Sequence, residues 1–106
     1  MGTSTGVSAT DRAKTVLALS SKESKPEDFR RPGHVFPLKY RNGGVLQRAG
    51  HTEASVDLVV LAGFRPVSVL SAVVDADDGS MASMPSLRKL SLDHSIPIVS
   101  ITDLIR

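Results

Sequence analysis

The sequence predicts an α+β fold, a layered α/β sandwich in which one incomplete domain combines a mixed sheet with helices. Three observations carry this expectation. Stretches with apolar residues at helical spacing alternate with β-branched runs of strand length. Turn signals separate them, the strongest being Asn42-Gly43-Gly44 and Asp75-Ala76-Asp77-Asp78-Gly79. No internal repeat or low-complexity tract interrupts the pattern.

In chain order, Gly2 to Ala9 is small and polar, and Thr10 with Asp11 offers an N-cap and a first-turn acid for a helix. Ala13, Val16 and Leu17 fall on one face of that helix, which should end near Ser20-Ser21. Lys22 to Gly33 is charged, holds Pro26 and Pro32, and keeps no period, so it reads as an ordered loop or a short helical turn. Val35, Phe36, Leu38 and Tyr40 fit a strand that Pro37 marks as edge or kinked, and Val45-Leu46 continues as a short strand after the glycine turn. Thr52 then caps a helix with Glu53 in its first turn, and Val56 and Leu58 to Ala62 carry it to Gly63. Pro66 to Val74 suits a strand buried on both faces. A further helix is expected from about Ser86 to His94, with Pro85 near its first turn and Leu87, Leu90 and Leu92 facing inward. Ile96, Ile98 and Val99 make a last short strand, and Thr102-Asp103 caps a final helix.

With 106 residues there is room for one small domain, which buries a smaller share of its surface than a larger one would. Apolar residues at 41% and charged residues at 23% are near globular averages, which excludes a disordered acidic tail. Thirteen basic against eleven acidic residues give a net charge of +2 with no basic patch interleaved with aromatics, so no nucleic-acid partner is expected. No apolar run approaches the ~18 residues of a spanning helix, so no membrane partner is expected either. The absence of cysteine removes disulfides, thiolate catalysis and thiolate zinc sites. Met1 to Gly6 reads like the interior of a protein and the pattern runs to Arg106, so the sequence is expected to be a piece of a longer one.

The chemistry concentrates in Arg48-Ala49-Gly50-His51-Thr52, which precedes Glu53 at the expected mouth of the central helix. Unpaired backbone N–H groups and the positive end of the helix dipole point outward there, and Arg48 adds a guanidinium; together they suit an anion, foremost a phosphate. An ordinary capped helix with a surface histidine is the competing reading. His51 alone cannot make a metal site, since no second histidine stands three or four residues away. Glu53 and Asp57 share a helix face and either support His51 from behind or face solvent. His34 follows Pro32-Gly33, a turn able to hold an imidazole at a cleft edge for proton transfer. Asp75 to Gly79 opens like a calcium loop but lacks its closing acid and reads as a solvated turn, and His94 sits at a helix C-terminus without a catalytic role.

The ordered set Thr5-Gly6-Val7-Ser8-Ala9-Thr10-Asp11-Arg12, Arg31-Pro32-Gly33-His34-Val35-Phe36-Pro37-Leu38, Gly43-Gly44-Val45-Leu46, Arg48-Ala49-Gly50-His51-Thr52-Glu53-Ala54 and Asp78-Gly79-Ser80-Met81-Ala82 resembles the 3,4-dihydroxy-2-butanone 4-phosphate synthase family of riboflavin biosynthesis. The wording is most similar to bifunctional plant proteins in which this domain precedes a GTP cyclohydrolase II domain. Residues 1–106 would then be the C-terminal half of the synthase domain. The resemblance implies a lyase that converts D-ribulose 5-phosphate to formate and 3,4-dihydroxy-2-butanone 4-phosphate. It further implies Mg²⁺ with Mn²⁺ as a substitute, a homodimer, a fused cyclohydrolase domain as partner, and a chloroplast location, otherwise cytoplasmic, although no targeting segment lies in this chain. The family's substrate-binding run matches Arg48, Ala49, Gly50, His51 and Thr52, with His51 also a metal ligand, and its essential histidine matches His34 as the catalytic residue.

One departure bears on activity. The position of the family's essential glutamate, on the stretch before Asp78-Gly79-Ser80-Met81, is Ala72, and a methyl group cannot accept a proton. The family's acidic, metal-binding segment belongs to the N-terminal half, so this stretch alone is not expected to turn over substrate. Beside an active parent synthase domain therefore stands a second expectation: a catalytically silent, synthase-like domain that serves as scaffold or dimerisation partner of a cyclohydrolase.

Overall fold

Capping residues decide where the helices begin, and in each case the first suitable side chain or glycine upstream takes the position. The computed structural model describes residues 2–106. Helix α1 spans Ala9–Ser20, α2 His51–Leu61, α3 Met84–His94 and α4 Ile101–Ile105, with short 3-10 turns at Pro26–Asp28 and Gly44–Leu46. Ser8, not Thr10, caps α1: its hydroxyl accepts from the Asp11 amide at 3.0 Å. Gly50, not Thr52, precedes α2, because the Ala54 amide already donates to the Gly50 carbonyl at 3.0 Å and draws Thr52 into the first turn. Ser83 caps α3 with Pro85 in its first turn, and Ser100 caps α4 in place of Thr102 and Asp103.

The far end of α2 is as the sequence indicates. Gly63 takes φ +91°, which lets the Phe64 amide reach the Val59 carbonyl at 2.9 Å and the Gly63 amide reach Val60 at 3.0 Å. This double closure satisfies carbonyls that the helix leaves open.

The expected mixed sheet is absent among the described residues, and the layered α+β sandwich is overturned with it. What forms is one antiparallel bridge, Val74 to Met81, closed over the acidic turn by Asp75 N–H to Ser80 O at 2.6 Å and Ala82 N–H to Val73 O at 3.0 Å. Val45 and Leu46 lie in a 3-10 turn, whereas 35–40, 66–73 and 96–99 form no strand. The reason is physical: β-branched residues suit a pleated, half-buried surface, but strand hydrogen bonds must come from a neighbouring strand. None of these stretches lies beside another in register. Their apolar side chains are accordingly exposed, among them Phe36, Leu38, Val69, Ile96 and Ile98. Leu92, expected to face inward, is 81% exposed.

The core is small and lies under α2. Val45, Ala54 and Val56 are its buried apolar members, where the Gly44–Leu46 turn and α4 meet that helix. The total accessible surface is 8777 Å², against ~5,700 Å² for a compact chain of this mass. The radius of gyration is 16.0 Å, against about 13 Å for a compact domain of this length. Among the described residues no helix is long and apolar enough to cross a membrane.

So much uncovered apolar surface makes association the expected behaviour of residues 1–106 on their own. Sedimentation should show concentration-dependent self-association; a soluble monomer with a single cooperative thermal transition would contradict this.

Candidate functional site

Two carboxylates one helical turn apart fold the loop 41–50 onto α2. Glu53 Oε2 accepts from the Arg41 amide at 2.8 Å, and Asp57 Oδ2 accepts from the Val45 amide at 2.9 Å. Between these anchors the chain turns at Gly44, whose φ of +63° favours glycine and whose carbonyl accepts from the Gln47 and Arg48 amides at 3.1 and 3.0 Å. A Cβ at Gly44 would overlap the Asp57 carboxylate. Glu53 and Asp57 thus act as acceptors for loop backbone, a role that their spacing alone does not reveal.

Glu53 is fully buried and holds Arg48 as well. Arg48 Nη1 donates to Glu53 Oε1 at 2.9 Å while the arginine side chain stays 59% exposed, so the guanidinium is fixed at one edge and open at the other. The pair crosses directly over Gly50, where a Cβ would lie 2.6 Å from Glu53 Oε1 and 3.0 Å from Arg48 Nη1. Gly50 has φ −110°, so it is required for space and not for backbone freedom. The Gly50 amide donates to the Arg48 carbonyl at 2.8 Å, which makes a three-residue turn with the exposed Ala49 at its apex. The Arg41 amide above all, then the carboxylate's own amide and Arg48, hold the Glu53 carboxyl below its ordinary range against the effect of burial.

The mouth of α2 therefore has Arg48 beside it, His51 exposed as its first residue and Thr52 half-buried in its first turn. Gly50 has no side chain to cap the first turn, so the His51 and Thr52 amides have no side-chain cap there, while the Glu53 amide serves its own carboxylate. An anion placed there meets charge and donors together. Among the described residues no three of His, Asp and Glu gather as a metal site.

His34 is elsewhere. It is exposed in an open cleft of ≈ 1230 Å³ whose lining includes Thr5, Gly6, Lys14, Arg30 and Arg31 but none of residues 48–52. A Cβ at Gly6 would stand 3.5 Å from His34 Nδ1, so the imidazole lies against that glycine. Asp11 fixes Gly6: its Oδ2 accepts from the Gly6 amide at 3.0 Å and from the Ser4 amide and hydroxyl at 3.1 Å each. The sequence marks Asp11 only as a first-turn acid; its tether runs to Ser4 and Gly6, upstream of the Ser8 cap, and no local spacing signals it. Ala72 is exposed, and its carbonyl accepts from the Ser71 hydroxyl at 3.3 Å. The stretch before it is tied to α2 by the Ser55 and Ser68 hydroxyls at 2.8 Å.

The Gly6 amide, then the Ser4 amide and hydroxyl and Lys14, hold the Asp11 carboxyl below its ordinary 3.8. A depressed carboxyl stabilises the fold above its unfolded value and loses that contribution as pH falls through the folded one. In the intact protein, thermal stability at pH 6 should therefore fall on Asp11→Asn, and the difference should begin to shrink only below about pH 3.8 and be lost as the pH falls through the lower folded value; a pH-independent difference would refute the tether. Gly44→Ala should cost at least ~2 kcal/mol in denaturant unfolding, because left-handed strain and overlap add. Gly79 shares the positive φ but has open space around it, so Gly79→Ala should cost only about 1 kcal/mol; equal losses would remove the role assigned to the Asp57 contact.

Comparison with known proteins gives the family. The model of 3,4-dihydroxy-2-butanone 4-phosphate synthase matches residues 1–106. The chain is 76% identical over 105 residues to the monofunctional riboflavin biosynthesis protein RIBA 3, chloroplastic, of Arabidopsis thaliana, covering 99% of this chain and 21% of that protein. It is 68% identical over 105 residues to the bifunctional riboflavin biosynthesis protein RIBA 1, chloroplastic, of the same plant, covering 99% and 19%. The crystal structure of 3,4-dihydroxy-2-butanone 4-phosphate synthase of Candida albicans superposes with a TM-score of 0.94 at 42% identity, covering 98% of this chain and 53% of that one. The chain thus spans about a fifth of the length of these curated relatives. It belongs to the 3,4-dihydroxy-2-butanone 4-phosphate synthase family.

Proposed function

We propose that the protein carrying this chain serves riboflavin biosynthesis, and that its synthase domain converts D-ribulose 5-phosphate to formate and 3,4-dihydroxy-2-butanone 4-phosphate. Family membership supports the reaction class, and the relatives' names support the pathway. The observation that carries the assignment to this stretch is the open guanidinium of Arg48, held by buried Glu53 beside the uncapped start of α2. There Arg48, the Thr52 hydroxyl and the first-turn amides bind the phosphate, and the turn at Ala49 and Gly50 lets the ligand approach the backbone. By the family resemblance His34 is the residue proposed to move a proton at the reacting carbons, although within this chain it lines a cleft separate from residues 48–52. The relatives' chloroplastic names support that compartment, and the name of the bifunctional relative supports a fused second activity, proposed as GTP cyclohydrolase II. A homodimer belongs to the same proposal; neither nucleic acid nor membrane does.

Mg²⁺, replaceable by Mn²⁺, is proposed with His51 as one ligand. When bound it would offset negative charge developing on an enediol oxygen. The described residues do not complete such a site: Glu53 is engaged by Arg41 and Arg48, and a hard cation takes mostly oxygen ligands. The remaining ligands would come from residues beyond this chain.

A second reading is favoured by Ala72 together with the monofunctional name of the 76% identical relative. In it the domain is catalytically silent and supports an attached cyclohydrolase as scaffold or dimerisation partner. Formate release from ribulose 5-phosphate, assayed on the intact protein and its Ala72→Glu variant, separates the two. The synthase reading expects formate with Ala72 in place, and its absence there with release by Ala72→Glu establishes the silent domain. No formate from either form would refute the proposed reaction.

A further inference from the structure

We infer that Glu53 is a positioning residue for ligand binding, setting the Arg48 guanidinium at the mouth of α2, and that Gly50 lacks a side chain so that this ion pair can cross it. The inference rests on the proposal that Arg48 meets a phosphate. The two oxygens of Glu53 divide the work: Oε2 takes the Arg41 amide and anchors the loop, while Oε1 takes Arg48 Nη1. The second contact both matches the buried charge and holds a side chain that is itself exposed at the helix mouth, which the Arg41 contact does not do. Arg48 is the partner left 59% exposed, so without Glu53 its long side chain would sample many rotamers in solvent. Fixing one edge of a guanidinium leaves the other donors aimed, and less freedom is lost when an anion arrives. Burial of Glu53 at 0% exposure and the 2.6 Å approach to the Gly50 position are independent signs that this geometry is built into the packing.

Glu53→Gln separates positioning from anchoring. The amide oxygen of glutamine still accepts from the Arg41 amide, whereas its NH₂ group presents donors to a donor at Arg48. In the intact protein, calorimetric binding of D-ribulose 5-phosphate and of inorganic phosphate should weaken at least ~10-fold in Glu53→Gln, with the thermal midpoint nearly retained. Gly50→Ala should weaken the same ligands by forcing the pair apart with both charges present. Adding Arg48→Ala to Glu53→Gln should bring little further loss, since both changes remove one function.

If Arg48→Ala alone binds both ligands normally, the phosphate site of the proposed function fails and this inference with it. If Arg48→Ala weakens binding while Glu53→Gln and Gly50→Ala bind as the parent does, the site stands and the positioning role is overturned. Should Glu53→Gln unfold, Gly50→Ala decides; unfolding of both assigns the pair to stability alone and also overturns the inference.

Discussion

A buried carboxylate at the start of α2 is the constraint on which the loop 41–50 and the candidate site depend. Glu53 lies in the first turn, fully enclosed, and a charge in that position must be matched by donors. The loop before the helix supplies them, from the Arg41 backbone and the Arg48 side chain. Several identities follow from this. Gly50 is glycine because the ion pair occupies the space of a side chain, Gly44 is glycine because the chain turns left-handed against Asp57, and Val45 is delivered into the small core between them.

The same device recurs at the other end of the chain. Asp11, in the first turn of α1, gathers the Ser4 and Gly6 amides much as Glu53 gathers Arg41, and so places the backbone against which His34 lies. With few apolar side chains buried, these polar tethers order the loops that carry the candidate chemistry. They also place Arg48 and His34 in different surroundings, one at a helix mouth and the other in a cleft.

Helices were legible in the sequence because their signals are local. All four expected helices form, and Gly63, which follows the apolar run, closes α2 as its place in the sequence predicts. The helices begin upstream of the expected Thr10, Thr52, Ser86 and Thr102, because Ser8, Ser83 and Ser100 cap earlier and Gly50 takes the N-cap position of α2. Strands were not legible in the same sense. Pro66 to Val74 has the composition of a buried strand, but pairing depends on a distant partner, which composition does not encode. The stretch instead runs without strand pairing and mostly exposed as far as its bridge to Met81. At the candidate site, Arg48, Gly50, His51 and Thr52 could be read because they are adjacent. The role of Glu53 and the separation of His34 from that run could not, since both depend on how the loop returns to the helix.

The central claim is that a phosphate belongs at the mouth of α2. A crystal structure of the intact protein with D-ribulose 5-phosphate tests it most directly. The account predicts the phosphate within hydrogen-bond reach of the free edge of Arg48, the Thr52 hydroxyl and the first-turn amides, with the Arg48 to Glu53 pair intact. A phosphate lodged instead among Lys14, Arg30 and Arg31 in the His34 cleft, with Arg48 untouched, would contradict it.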